Sequence, residues 1–150
     1  MSHDHVLHLQ DQLESTVNQF ETEFAEIQNL TSSDQLPAMI DAVSNLRTVL
    51  SEIKKYFIEV RSQLSKVQGI PPAKELAQLV IGASTEAISS LRETEHLLEE
   101  LKEKLKGKRK TPIAHEEIQY TEFSAKDAIR KSQYIIKKIV EHAEELPDQI

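Results

Sequence analysis

The sequence predicts an all-α fold, an antiparallel helical bundle or coiled-coil hairpin of three long helices plus a weaker fourth. Three observations predict it. Met39, Val43, Leu46, Leu50, Ile53, Phe57, Val60, Leu64 and Val67 alternate strictly at steps of four and three, a period of about 3.5 residues that keeps one apolar stripe facing a partner helix. Three glycines and five prolines among 150 residues leave little room for turns, so the elements must be few and long. An apolar fraction of 39% with only 5% aromatic residues suits helices better than a sandwich or a barrel. The length is that of one domain, covering 1–150.

A first helix is expected from near Asp4 to about Leu30. Val6, Leu9, Leu13, Val17, Phe20, Phe24 and Ile27 recur every three or four residues, while Asp11, Glu14, Glu21, Glu23 and Glu26 fall off that stripe, the mark of an acidic amphipathic helix. Thr31-Ser32-Ser33-Asp34 breaks it. Ser32 with Gln35 three positions on has the form of a capping box, and Pro37 then lies in the first turn of the next helix, where its missing N–H costs nothing. That second helix carries the 39–67 stripe and would be roughly 45 Å long at about 1.5 Å per residue. Gln68-Gly69-Ile70-Pro71-Pro72 ends it, since Gly69 suits a C-cap and the proline pair forbids continuation. So short a link makes the third helix, about Ala73 to Lys106, an antiparallel neighbour.

Leu76, Val80, Ala83, Ala87, Leu91, Leu98, Leu101 and Leu105 are expected on its inner face. The consecutive steps of four from Ala83 to Ala87 to Leu91 interrupt the heptad as a stutter, which locally unwinds a supercoil. The small residues around it, from Gly82 to Ser90, predict a close helix approach, with a docking notch for a partner as the alternative. Thr111-Pro112 can open a last segment, but its pattern is poor until Ser124-Ala125-Lys126-Asp127, a second serine-to-acid cap signature. A fourth helix is expected from there, through Ala128, Ile129, Ile135, Ile136, Ile139, Val140, Ala143 and Leu146, ending before Pro147. Residues 107–123 read as a mobile loop or a short helix.

Charge and residue chemistry narrow the function classes. The formal net charge is −7, which disfavours nonspecific binding to nucleic acid or anionic lipid. Residues 1–100 hold seven Lys/Arg against sixteen Asp/Glu, and residues 101–150 hold eleven against nine. Most of that second-half excess is one cluster, Lys102, Lys104, Lys106, Lys108, Arg109 and Lys110. It complements a helix C-terminal dipole and has no interleaved aromatic residue for base stacking; a nuclear-import or polyanion-binding patch is the alternative. No cysteine is present, hence no disulfide, thiolate nucleophile or cysteine zinc site. His3, His5 and His8 near the start read as a solvated terminus, against a metal site that pairs His5 with His8 or adds Asp4 as a carboxylate ligand. Glu93 and His96 have the Glu-x-x-His spacing of a carboxylate-bridged di-iron helix, but no second such unit exists. No phosphate-binding glycine loop and no Ser-His-acid set is present. No cofactor or metal is therefore expected. No apolar run approaches a membrane span, so a cytoplasmic location is expected, or a nuclear one in a eukaryote.

Ile70-Pro71-Pro72-Ala73-Lys74-Glu75-Leu76, continuing through Val80 and Ala83-Ser84-Thr85-Glu86-Ala87, resembles the hairpin-tip region of the CheZ-type chemotaxis phosphatases. The resemblance covers about twenty residues, with one-residue offsets at Leu76 and at Thr85-Glu86. It implies a long helical hairpin that dimerises into a four-helix bundle and acts on a phosphorylated receiver domain. That family's later motif, a Phe followed by Gln-Asp and a catalytic Gln, has no counterpart here: the chain reads Phe123-Ser124-Ala125-Lys126-Asp127, and no catalytic residue carries over. Leu13-Glu14-Ser15 to Phe24, with Ile53 to Glu59, also resembles helices of small subunits of the transcriptional Mediator complex.

The function expected from the sequence is noncatalytic: a scaffold, adaptor or assembly subunit that presents a helix face to a protein partner, a second copy of itself included. Phe20, Phe24, Leu50, Phe57 and Leu64 read first as core residues, and become the candidate partner-binding anchors only if they are exposed. A CheZ-like regulator and a small coactivator subunit are the competing classes. Whether the 39–67 stripe closes within one chain or between two is left open by the sequence.

Overall fold

From Met39 to Leu64 the stripe closes within the chain. In a computed structural model, which describes residues 2–64, 71–106 and 113–146, four helices form: α1 (Ser2–Phe24), α2 (Leu36–Leu64), α3 (Pro71–Lys106) and α4 (His115–His142). Each packs on its neighbours in chain order, and α1 closes against α4, giving a four-membered ring. Side-chain pairs set the directions. Ser90 bonds to Asp127, Thr94 to Ser124 and Lys104 to Glu117, so rising numbers on α3 meet falling numbers on α4. Likewise Glu21 meets Gln133 and Gln28 meets Glu122, which makes α1 and α4 antiparallel.

Every stripe residue of α2 from Met39 to Leu64 is buried; Val67 lies outside the described residues. Ala42, Val49 and Tyr56 are buried beside them. A third buried position in each heptad is what a helix touching two neighbours requires, where a lone two-stranded seam needs only two. The expected capping box is present: the Ser32 hydroxyl accepts from the Asp34 N–H at 3.2 Å, and Gln35 Oε1 accepts from the Ser32 N–H at 3.0 Å. It opens a 3₁₀ turn, Ser33–Gln35, that runs into α2 with Pro37 in the first turn.

Two helix boundaries and the register of the stutter differ from expectation. The first helix stops at Phe24 rather than near Leu30. A 3₁₀ turn at Ile27–Asn29 follows, closed by bonds from Asn29 N–H to Glu26 C=O and from Leu30 N–H to Ile27 C=O. The tighter turn keeps Ile27 and Leu30 in the core while the chain swings toward α2. On α3 the two consecutive steps of four fall at Leu76, Val80 and Ser84, all buried, while Ala83 and Leu105 are only half-buried. The small residues from Gly82 to Ser90 are partly core and partly the approach to α4, through the Ser90–Asp127 bond; Gly82 itself faces open space.

The fourth helix is the largest correction. It starts at His115, not near Ser124, so residues 115–123 are regular helix; 107–112 lie outside the described residues. Its buried line is Ile118, Thr121, Ala125, Ala128, Ser132, Ile135 and Ile139, a 3-4 alternation carried at four of seven places by Ala, Ser or Thr. Glu116 and Glu117 occupy its first turn, where acid complements the helix dipole. Ser124 is not a cap but a buried mid-helix residue. Among the described residues no strand occurs, and no helix is long and apolar enough to cross a membrane.

Candidate functional site

The α3–α4 contact is polar at its centre. Thr94 and Ser124 place their hydroxyl oxygens 2.7 Å apart in the core; Thr94 also reaches Ser90 C=O at 2.8 Å and Ser124 reaches Thr121 C=O at 3.0 Å. Two hydroxyl protons serve three acceptor contacts, so whichever hydroxyl donates to the other gives up its own backbone carbonyl. Outside this pair, Asp127 accepts from Ser90 at 2.6 Å and from Lys131 at 2.7 Å. Lys131 and then Ser90 hold the Asp127 carboxyl below the usual carboxylate range, and Asp127 in turn raises Lys131. At the far end Lys104 pairs with Glu117, whose Oε2 is buried without a hydrogen-bond partner. The network ties α4 to α3 along one side and leaves the other sides of α4 to α1 and to solvent.

The aromatic residues sort cleanly between those two destinations. Phe20, Phe24, Tyr56 and Phe57, all from α1 and α2, are buried, with Phe20 stacked on Phe24 at 4.4 Å. Tyr120, Phe123 and Tyr134, all from α4, are exposed, the first two to 66%. Tyr120 and Phe123 are three residues apart, and Tyr134 lies eleven beyond Phe123, close to three whole turns, so the three share one outward face. Lys138 sits 5.5 Å above the Tyr134 ring, within cation–π reach.

Phe123 also stands on the rim of a groove between α1 and α4. The groove holds about 700 Å³ and its apolar walls come from Phe24, Ala25, Ala125 and Ile129. Two hydrogen bonds cross beside it: Gln133 of α4 donates to Glu21 of α1 at 3.3 Å, and Gln28, in the 3₁₀ turn after α1, donates to Glu122 of α4 at 2.6 Å. The Glu122 carboxyl is held below its usual range, first by Lys126 and then by Gln28. The groove is apolar inside and bordered by carboxylates and by the cations Lys126 and Arg130.

The five candidate anchors from the sequence lie elsewhere. Phe20, Leu50 and Phe57 are fully buried in the intrachain core, and Leu64 is buried at the end of α2; none presents a surface. Phe24 is buried too, yet it forms part of the groove wall. The exposed face of α4 has no apolar period of its own, so the inward stripes do not reveal it. Tyr120, Phe123 and Tyr134 were legible as aromatic residues off the α4 stripe once that stripe is drawn through Thr121 and Ser132. Among the described residues no three His, Asp, Glu or Cys side chains are grouped to hold a metal; His96 faces Glu100 at 3.1 Å rather than Glu93. In the basic cluster Lys104 is neutralised by Glu117, and 108–110 lie outside the described residues.

Comparison with family models, with curated proteins and with solved structures finds no match to this chain.

Proposed function

We propose that the chain is a noncatalytic helical interaction module, acting as a scaffold, adaptor or assembly subunit, that receives an amphipathic helix of a protein partner on the outer face of α4 and in the groove beside α1. One observation carries this: every aromatic residue of α1 and α2 is buried, and every aromatic residue of α4 is exposed. Single exposed apolar residues are ordinary on any surface. Tyr120 and Phe123 lie about one turn apart on one helix face, with Phe123 on the rim of an apolar groove, and Tyr134 stands about three turns further along that face. Burying a Phe side chain is worth about 1.5–3 kcal/mol, and two-thirds of the Phe123 surface is still open to supply it.

The test replaces Phe123 by photoreactive p-benzoylphenylalanine in cells that make the protein, with the same probe at the exposed Glu99 of α3 as control. A discrete crosslinked adduct at 123, absent at 99 and lost on Ile129→Asp, is the expected result. No adduct at 123, or the same adducts at both positions, would overturn the proposal. Light scattering over a concentration range separates a foreign partner from a second copy, since only self-association raises the mass of the purified chain.

The resemblance at residues 70–90 favours one competing reading, a CheZ-like regulator. It requires the purified chain to shorten the aspartyl-phosphate lifetime of a receiver domain; the interaction module leaves that lifetime unchanged.

A further inference from the structure

On the opposite edge of the ring, α2 and α3 form a groove of about 480 Å³ lined by Ser51, Lys54, Lys55 and Ile58 from α2 and by Thr85, Ile88, Ser89 and Arg92 from α3. No carboxylate lines it, in a chain with 25 Asp and Glu. A second groove continues from it through the shared Ser51, Lys55 and Arg92 to Arg47 and Glu52. Four of the seven Lys and Arg within residues 1–100 therefore line one continuous surface, although that segment holds sixteen acids. The spacing makes it so: 51, 54, 55 and 58 share one face of α2, and 85, 88, 89 and 92 share one face of α3.

The cations differ in what neutralises them. Arg47 is paired with Glu95 at 2.6 Å. Lys54, Lys55 and Arg92 make no ion pair among the described residues, and the hydroxyls of Ser51 and Ser89 make no hydrogen bond there. Elsewhere on α3 and α4 the chain pairs its cations repeatedly, as in Lys104–Glu117, Lys131–Asp127 and Lys126–Glu122. Three like charges held in one groove repel one another, and a multiply charged anion between them converts that repulsion into attraction.

We infer that the α2–α3 groove is a binding site for a phosphate monoester, with Arg92, Lys54 and Lys55 holding the dianion and the Ser51 and Ser89 hydroxyls donating to its oxygens. The planar guanidinium of Arg92 offers two parallel N–H donors to two phosphate oxygens, and the two ammonium groups act as point charges. Ile58, 38% exposed, and the buried Ile88 supply an apolar wall for the carbon skeleton that bears the phosphate. The absence of aromatic side chains from the groove lining disfavours a stacked nucleobase. The volume lies within the range of small-ligand sites, about 300–1,000 Å³. The same chemistry has two sources, a free phosphorylated small molecule and a phosphorylated serine or threonine side chain of a protein.

The experiment is a titration of the isotope-labelled full chain, followed by amide chemical shifts, with inorganic phosphate, with O-phosphoserine and with a phosphoserine peptide, at ionic strength held constant with sodium chloride. Saturable shifts confined to 51–58 and 85–92 are expected. Lys54→Gln and Lys55→Gln each weaken binding about threefold and Arg92→Gln about tenfold, with helicity unchanged because the side chains are on the surface. Phosphate and phosphoserine binding alike identify a small-molecule site, and a peptide binding more than tenfold tighter than either identifies a protein ligand; both support the assignment. Shifts that do not saturate, shifts reproduced by chloride alone, affinity unchanged in the Lys54→Gln/Lys55→Gln/Arg92→Gln variant, or tighter binding of a single-stranded oligonucleotide that moves the same amides would overturn it.

Discussion

Leu50 separates an intrachain core from an interface between chains. It is fully buried in the intrachain core on α2, so Leu50→Ala should lose the transfer free energy of the missing carbons and leave a cavity, about 2–5 kcal/mol in all. With a urea slope of about 2 kcal/mol per molar, the unfolding midpoint falls by about 1–2.5 M. Leu50→Glu is harsher. The same burial is lost, and at pH 7 a carboxyl with an ordinary value of about 4.3 must take up a proton to enter the core, at a cost of about 3.7 kcal/mol. An unpaired neutral carboxyl adds about 1–3 kcal/mol. The total, about 7–12 kcal/mol, is comparable to the whole stability of such a domain, about 5–15 kcal/mol. The sign with pH is opposite to that of a salt-bridged acid: burial raises the folded value, so the variant is least impaired below the unfolded value near pH 4 and loses stability as pH rises. Circular dichroism at 222 nm against urea, with light scattering alongside, reads all three quantities. A Leu50→Glu protein that stays fully helical at pH 7 and merely halves its mass would refute the intrachain core.

Thr94→Val should lower the melting temperature by about 2–4 °C, for about 1 kcal/mol, because Ser124 retains Thr121 C=O as its acceptor; Thr94→Val with Ser124→Ala should cost less than the two added separately, as calorimetry would measure. Lys104→Met leaves the partly buried Glu117 without its cation and should cost about 1–2 kcal/mol in chemical denaturation, most of it recovered by a further Glu117→Met. Asp127 has a folded value below its unfolded value of about 3.9. Its contribution is therefore complete above pH 4 and lost as pH falls through the folded value, and Asp127→Asn should flatten that acid limb in melts recorded from pH 6 to pH 2.

α2, its inner stripe and the capping box that precedes it are legible in the residues alone, since large aliphatic side chains at steps of three and four, and a serine three residues before a glutamine, have few other uses. The sequence also implied that the elements would be few, helical and antiparallel. It did not determine where α4 begins, because Thr121, Ser124 and Ser132 carry polar atoms that count against burial until a neighbouring helix or a carbonyl one turn back accepts their protons. The same blindness hid Ser84 and Thr94 on α3. It takes the packed helices to show that the ring closes through α1 against α4 within one chain, that Phe20, Leu50 and Phe57 are core while Phe123 is surface, and that Lys54, Lys55 and Arg92 share a groove. Periodicity along one helix says which residues lie on one side of it. What that side faces depends on how far the other three helices reach around, and no residue of the first helix specifies that alone.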